Sequence, residues 1–293
     1  MTESTASFTP GGDPAAIRPA RTWPGQGRWS ERTVTLLAAL FALFLGLPVL
    51  ALVLRAIIDG SLAVALATPA VLDALFLSLV TTAFCLAVTV LLGLPLAFVL
   101  ARRRFPFKGL VEAVVDLPIV LPPAVAGLAL LLVFGRRGLL SAPFDVLGVS
   151  VPFTTVAVVL AQLFVSAPFF IRSARTGIAG VDRDLEDAAR VDGATEGQLF
   201  RSVTVPLSGV ALAAGLVMSW ARALGEFGAT IMFAGNVEGR TQTLPLSVYS
   251  EFQGGDIDAA VAGAAILVLA AFGVLLAVRV FHWGRVLDVR AVT

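Results

Sequence analysis

The chain has 293 residues, of which 58% are hydrophobic and 14% are charged, and its mean hydropathy is +0.92. This composition excludes an ordinary water-soluble domain, in which about a quarter of the residues are charged. The formal net charge is only +1, so the positions of the charges are more informative than their sum. The sequence predicts an all-α, polytopic membrane protein.

The first 33 residues are polar and rich in Pro, Gly, Ser and Thr. This composition predicts a disordered cytoplasmic tail over residues 1–33. A signal peptide is the alternative, but the apolar run that begins at Val34 is long enough to cross a bilayer. Residues 34–293 are then predicted to form one transmembrane domain.

Six segments of this domain satisfy the requirement of about 20 largely apolar residues for a membrane helix. They are residues 34–54, 75–100, 111–134, 153–171, 205–227 and 259–281. The single cysteine, Cys85, falls inside the second segment, which favours a small buried side chain and excludes a disulfide within the chain. His282 follows the last segment and is too isolated for a metal site or a catalytic triad.

The only lysine, Lys108, is followed by Gly109. A P-loop requires a lysine followed by Ser or Thr behind a glycine-rich turn. The chain is therefore not expected to be an enzyme, and any ATP hydrolysis must be carried out by another polypeptide.

The basic residues of the loops predict the orientation of the chain in the membrane, because cytoplasmic loops are enriched in Lys and Arg. Most basic residues lie on one side. The loop between spans two and three carries Arg102, Arg103, Arg104 and Lys108, the loop between spans four and five carries Arg172, Arg175, Arg183, Arg190 and Arg201, and the C-terminal end carries Arg285 and Arg290. The opposite loops carry Arg55, Arg136, Arg137 and Arg240. Both termini and the loop at 182–206 are therefore predicted to be cytoplasmic.

Several predicted spans contain residues that bend helices: Gly93, Pro95, Pro122, Pro123, Gly127 and Pro168. Such bends are tolerated where protein or a cavity satisfies the freed backbone groups. Ala211 with Gly215, and Ala259 with Gly263, have the spacing that favours close helix contact. Bent helices with small residues can line a pathway, although ordinary membrane packing is an equally good interpretation of each position.

The polar segment 182–206 is predicted to form two short helices that meet at a glycine. Asp182 is a good N-cap, and Glu186 is spaced to pair with Arg190. Gly193 fits the left-handed position after a helix. Thr195 and Gln198 have the spacing of a capping box at the start of the second helix.

This segment resembles the EAA loop of ABC importer permeases, which is written EAA, three residues, G, nine residues, I-x-L-P. The matching positions are Asp187, Ala188, Ala189, Gly193, Val203, Val205 and Pro206, and Glu186 lies beside the position that Asp187 occupies in place of the usual Glu. The resemblance implies that these residues dock on an ATPase subunit. An ordinary charged cytoplasmic loop is the alternative.

The stretch 221–230 carries two ionisable residues at membrane depth, where such residues are costly and are usually functional. Arg222 and Glu226 are four residues apart on a predicted helix, so a structural ion pair is favoured over direct contact of Arg222 with a passing anion. Ser219 and Thr230 supply hydroxyl donors nearby. These four residues are the candidate translocation path.

The passage 221–245 and the proline-rich run 117–123 resemble the molybdate permease subunits of ABC importers, and sulfate permeases have a related passage. The resemblance, which covers residues 75–293, implies the type I importer fold and import of molybdate or tungstate by alternating access. It implies a homodimer in a bacterial inner membrane, with two ATPase subunits and a periplasmic or lipid-anchored binding protein, and it implies neither a cofactor nor a nucleic-acid partner.

Two alternatives stay open. A sulfate or thiosulfate permease would share most of these features. An ion-coupled secondary transporter would be expected to have internal repeats and carboxylates near the bilayer midplane. No repeat is evident here, and Glu112 and Asp116 lie near the start of the third predicted span.

Overall fold

The computed structural model describes residues 28–290, with the side chains of residues 32–144 and 146–276. The predicted tail therefore lies largely outside the described residues, as do the side chains of His282, Arg285 and Arg290. The chain divides into a small unit, Met1–Pro48, and a large unit, Val49–Thr293. The described part of the small unit is helical, and its large apolar side chains are exposed, as expected for a lipid-facing segment.

The described residues are mostly helical and contain no β-strand, which confirms the all-α prediction. The helices are α1 (Arg28–Ile58), α2 (Ser61–Ala67), α3 (Pro69–Arg102), α4 (Lys108–Val120), α5 (Pro123–Phe134), α6 (Ser141–Val146), α7 (Thr155–Ala179), α8 (Arg183–Val191), α9 (Glu196–Leu199), a π-helical turn (Phe200–Thr204), α10 (Val205–Leu207), α11 (Gly209–Leu224), α12 (Gly228–Phe233), α13 (Leu244–Gly254) and α14 (Ile257–Arg290).

Four helical segments in the described part of the chain are long and apolar enough to cross a membrane. They are Arg32–Ile58, Pro69–Arg102, Thr155–Ala179 and Ile257–Leu276. A fifth crossing is possible if Glu196–Leu207 and Gly209–Leu224, which are bent by 73°, form one span. The prediction of six transmembrane helices is therefore not confirmed, whereas the first, second, fourth and sixth predicted spans each correspond to a long helix.

The third predicted span is divided into α4 and α5. Leu121 and Pro122 between these helices have extended backbone, and Pro123 begins α5. Proline lacks an N–H and disfavours helical geometry in the residue before it, so two consecutive prolines end one helix and start another. Neither half reaches the length of a complete span.

The fifth predicted span is broken at both ends. Ser208 separates α10 from α11, and α11 ends before Gly225. The Ser208 hydroxyl donates to the carbonyl oxygens of Thr204 at 2.7 Å and Val205 at 3.2 Å, and so satisfies backbone groups at the bend. The chain then turns through residues 225–227 and begins the short helix α12.

The centre of the large unit is formed by α3, α7 and α11, which approach closely through small residues. A methyl group at Gly215 would lie 2.7 Å from Cβ of Ser173, and the Ser173 hydroxyl donates to the Ala211 carbonyl at 2.7 Å. A methyl group at Gly263 would lie 2.9 Å from a methyl carbon of Val248 on α13. The close contact predicted from both small-residue pairs is confirmed at these glycines.

Polar side chains connect α3 to its neighbours. The Ser78 hydroxyl accepts from the Leu244 N–H at 2.7 Å, and the Gln162 amide donates to Thr82 at 3.4 Å. Cys85 is fully buried, as predicted, and its sulfur lies 3.5 Å from the hydroxyl of Ser166. These groups are small, so they provide hydrogen bonds without separating the helices.

The two interrupted helices, α5 and α12, pack against each other at nearly van der Waals distance. A methyl group at Gly127 would lie 2.6 Å from the Ala229 carbonyl oxygen, and one at Gly228 would lie 2.7 Å from Cβ of Pro123. Gly127, which the sequence suggested as a bend, therefore lies within α5 and permits contact between backbones.

We expect Gly215→Ala to destabilise the large unit by about 1–3 kcal/mol, because the added methyl group separates α7 from α11. Gly209→Ala on the same helix is the control, since a methyl group there meets no atom within 4 Å. Thermal unfolding in detergent measures both. Equal melting temperatures for the two variants would contradict the packing described here.

Candidate docking loop and intramembrane ion pair

The first helix of the polar loop begins and ends as the sequence predicts. The Asp182 carboxylate accepts from the Asp184 N–H at 3.0 Å and caps α8. Gly193 has φ +89°, which is the left-handed conformation expected after a helix. The N–H groups of Gly193 and Ala194 donate to the carbonyls of Arg190 and Ala189, each at 3.0 Å. These two bonds form a Schellman motif that fixes the direction in which the chain leaves α8.

The second part of the loop has the predicted capping box. The Thr195 N–H donates to the Gln198 side chain at 2.9 Å, and the Gln198 N–H donates to the Thr195 hydroxyl at 3.4 Å. The helix that follows has only four residues and continues as the π-helical turn. Leu199 on this segment is almost fully buried, so the end of the loop is anchored against the rest of the protein.

The predicted ion pair between Glu186 and Arg190 is wrong. Glu186 is 4% exposed, and its Oε1 accepts from Nη2 of Arg102 at 2.7 Å and from the Thr204 hydroxyl at 2.9 Å. Arg102 lies at the end of α3, 84 residues away in sequence, and its side chain is only 10% exposed. Because Glu186 is buried, its carboxylate requires partners inside the protein, and Arg102 and Thr204 supply them.

Arg190 instead pairs with two exposed carboxylates. Its guanidinium lies 2.7 Å from Asp187 and 2.9 Å from Glu196. The hydrogen bonds that Arg190 donates to Glu196 and Asp187 raise the pKa of Arg190, and the bond that Glu196 accepts from Arg190 lowers the pKa of Glu196. Arg190 and Glu196 therefore stay charged at neutral pH, and their ion pair links α8 to α9 across the glycine turn.

The predicted docking residues divide between the two sides of the loop. Asp187, Ala188, Gly193 and Pro206 are exposed, and Ala189, Val203 and Val205 are partly buried. Glu186 is turned into the protein and is not available to a partner. Sequence reasoning missed Val191, an apolar residue that is 87% exposed two positions before Gly193. An apolar residue in the polar stretch just before the glycine turn is the signal that could have identified it.

The predicted ion pair between Arg222 and Glu226 is confirmed. Nη1 of Arg222 lies 2.6 Å from Oε2 of Glu226, and the Glu226 side chain is 1% exposed while that of Arg222 is 29% exposed. Oε1 of Glu226 accepts from the Ala229 N–H at 2.7 Å. Glu226 thus neutralises an arginine of α11 and also satisfies a backbone donor at the start of α12.

Ser219 and Thr230 are both fully buried, and their hydroxyl oxygens have no hydrogen-bond partner among the described side chains and backbone. The structure brings Arg222 and Glu226 together, but no hydrogen bond joins either hydroxyl to this pair within the described residues. A role for Ser219 and Thr230 in the translocation path therefore stays a prediction.

Residues 90–288 match the family model described as "Binding-protein-dependent transport system inner membrane component". The chain is 42% identical over 248 residues to the molybdenum transport system permease protein ModB of Mycobacterium bovis, covering 84% of this chain and 93% of that protein. It is 39% identical over 191 residues to the protein of the same name from Escherichia coli K12, covering 64% of this chain and 83% of that protein.

The fold resembles that of a chain in the crystal structure of a bacterial ABC transporter that imports the acidic polysaccharide alginate. The TM-score is 0.70 at 17% identity, and the match covers 88% of this chain and 95% of that chain. This likeness concerns the fold alone, and it agrees with the importer permease fold expected from the loop. The chain is a multi-pass membrane protein and belongs to the binding-protein-dependent transport system inner membrane component family.

Proposed function

We propose that this chain is the membrane-spanning subunit of an ATP-driven ABC importer that moves molybdate into the cytoplasm. The observation that carries the proposal is the match along most of the chain to permeases named for molybdenum transport. The polar loop with its fixed glycine turn supports it, because such a loop is suited to a partner's cleft. Tungstate, a tetrahedral dianion like molybdate, is expected to follow the same path.

The loop at 182–206 is proposed to dock on the ATPase subunit. Asp187, with a side chain that is 70% exposed, and the exposed Val191 give its outer surface one acidic and one apolar contact. The ion pairs of Arg190 hold α8 and α9 in a fixed relation before any partner binds. A preformed loop loses less conformational entropy on docking, which favours binding.

Transport is proposed to proceed by alternating access in a homodimer with two ATPase subunits and an external binding protein. Closure of the ATPase subunits would draw the two loops together and change the packing of the membrane helices. The bend at Ser208 and the turn at residues 225–227 lie on either side of α11, so this helix can change its tilt without losing its internal hydrogen bonds.

The orientation proposed from the arginines places the loop and both termini in the cytoplasm. A cysteine at the exposed position Asp184 is expected to react with an impermeant thiol reagent only from the cytosolic side, and one at the exposed Gly254 only from outside. Both are introduced into a Cys85→Ala background. The reverse labelling pattern would overturn the orientation.

Gly193→Ala is expected to weaken ATPase binding with membrane insertion intact, because a left-handed non-glycine residue costs roughly 1–2 kcal/mol and the turn is re-aimed. Gly255→Ala is a matched control: both glycines have positive φ, and a methyl group at either meets no atom within 4 Å. Co-purification of the ATPase measures the effect. Undiminished binding by Gly193→Ala would remove the argument for docking.

Uptake of labelled molybdate by cells that carry this chain, its ATPase and its binding protein tests the proposed function. Excess unlabelled tungstate should suppress the uptake and excess sulfate should not. Equal suppression by sulfate would favour the sulfate permease, which is the nearest alternative.

In the same assay, Arg222→Ala is expected to lower molybdate and tungstate uptake by a similar factor, about tenfold or more, because Glu226 is left buried without its cation. Arg137→Ala, which removes an exposed arginine, is the control. A path need not bind its ion tightly, so selection is expected in the binding protein. A changed preference among the anions in Arg222→Ala would instead make this chain the selector.

A further inference from the structure

The polar loop is attached to the membrane helices through one buried carboxylate oxygen. Oε1 of Glu186 accepts hydrogen bonds from Arg102 and from Thr204, at 2.7 and 2.9 Å. The same Nη2 atom of Arg102 also donates to the Val181 carbonyl at 3.0 Å. We call Arg102, Glu186 and Thr204 the clamp.

The clamp joins three elements that are distant in sequence. Arg102 is the last residue of α3, Glu186 lies in the first turn of α8, and Thr204 ends the π-helical turn that leads into α10. Near the clamp, the rings of Phe98 on α3 and Phe200 on the π-helical turn meet edge to face, with centroids 5.1 Å apart. The beginning and the end of the loop are therefore both fixed to α3.

The clamp is buried, whereas the other ion pairs of the loop are exposed. The side chains of Arg102 and Glu186 are 10% and 5% exposed, compared with 41% and 70% for Arg190 and Asp187. Charge-assisted bonds shielded from water are stronger and less affected by salt than exposed ones. The clamp is thus suited to carry force, and it is not accessible to a docking partner.

Movement at the clamp can continue along α3 into the core. A methyl group at Gly93 on α3 would lie 3.1 Å from the Ile171 side chain on α7, so the two helices have little room to slide. Ala97 and Leu100 of α3 form a buried cluster with Phe170, Ile171, Ala174 and Ile178 of α7. A displacement of Arg102 would therefore move α3 and α7 together, since packed cores do not deform continuously.

We propose that the clamp is the link that transmits movement of the docked loop to α3, with Arg102, Glu186 and Thr204 as positioning residues. This inference rests on the proposed function, because the movement originates in the ATPase. In this proposal Glu186 couples the loop to α3 within the chain, and the adjacent residue Asp187 faces the ATPase. Loss of the clamp should let the ATPase bind and hydrolyse ATP without moving the helices effectively.

The test is the double variant Arg102→Met with Glu186→Met in the assembled transporter. Replacing both members of a buried ion pair by apolar residues is often neutral for stability, so assembly with the ATPase should be retained. The number of ATP molecules hydrolysed per molybdate imported should rise about fivefold or more. A merely structural role would not change this ratio in complexes that assemble normally.

The control is Glu112→Met with Arg175→Met, an inter-helix ion pair whose side chains are 30% and 32% exposed. This pair also has an N–O distance of 2.7 Å and joins α4 to α7, but it lies outside the loop. Its removal should leave the ATP to molybdate ratio unchanged. A ratio that rises equally in both double variants would overturn the assignment, because the effect would then be general to the loss of an inter-helix ion pair.

If the clamp double variant fails to assemble, Thr204→Val is the second variant that tests the proposed link. Valine keeps the shape of threonine and removes only the hydrogen bond to Glu186. A ratio raised about twofold or more would support the link, and a wild-type ratio in assembled Thr204→Val complexes would overturn it. Absence of ATP-dependent molybdate uptake by the wild-type complex would instead refute the proposed function.

Discussion

The structure depends on how the backbone is satisfied where membrane helices break. A free N–H or C=O in hydrocarbon costs several kcal/mol, so an interruption persists only if the protein itself supplies the missing partner. At the 73° bend, the Thr204 carbonyl accepts from both the N–H and the hydroxyl of Ser208, and the Val205 carbonyl accepts from the same hydroxyl. Glu226 accepts the Ala229 N–H where α12 begins. The polar residues at these breaks therefore have a structural requirement that precedes any contact with a transported ion.

The breaks also explain why glycines are needed at the contact between α5 and α12. Helix backbones approach closely where small residues lie at the contact. The approach brings Gly127 to the Ala229 carbonyl and Gly228 to Pro123, with no room for a side chain at either glycine. The backbone of Ala229 thus has its carbonyl against α5 and its N–H bonded to the Glu226 carboxylate. This arrangement holds the Arg222 ion pair at a defined position in the large unit.

Features set by neighbouring residues were predictable from the sequence, and features set by distant residues were not. The Asp182 cap, the Gly193 turn and the Arg222–Glu226 pair each depend on residues within a few positions, and all three predictions are confirmed. Four of the six predicted spans correspond to long helices for the same reason. The partner of Glu186 lies 84 residues away, and helical spacing alone favoured the wrong cation. Hydropathy likewise could not show where prolines divide an apolar run into separate helices.

Adjacent carboxylates on α8 have different roles because consecutive residues of a helix do not share a face. Glu186 points inward to Arg102, and Asp187 points outward to Arg190. The shorter side chain at position 187, where the family pattern has Glu, still reaches Arg190 at 2.7 Å, so the outward charge is held close to the helix. If an ATPase subunit docks here as proposed, it would have to approach the helix closely to contact Asp187, and the same approach would cover the exposed Val191. For the proposed docking, the departure from the family pattern therefore favours a close contact at the loop over an ion pair that reaches far from the helix.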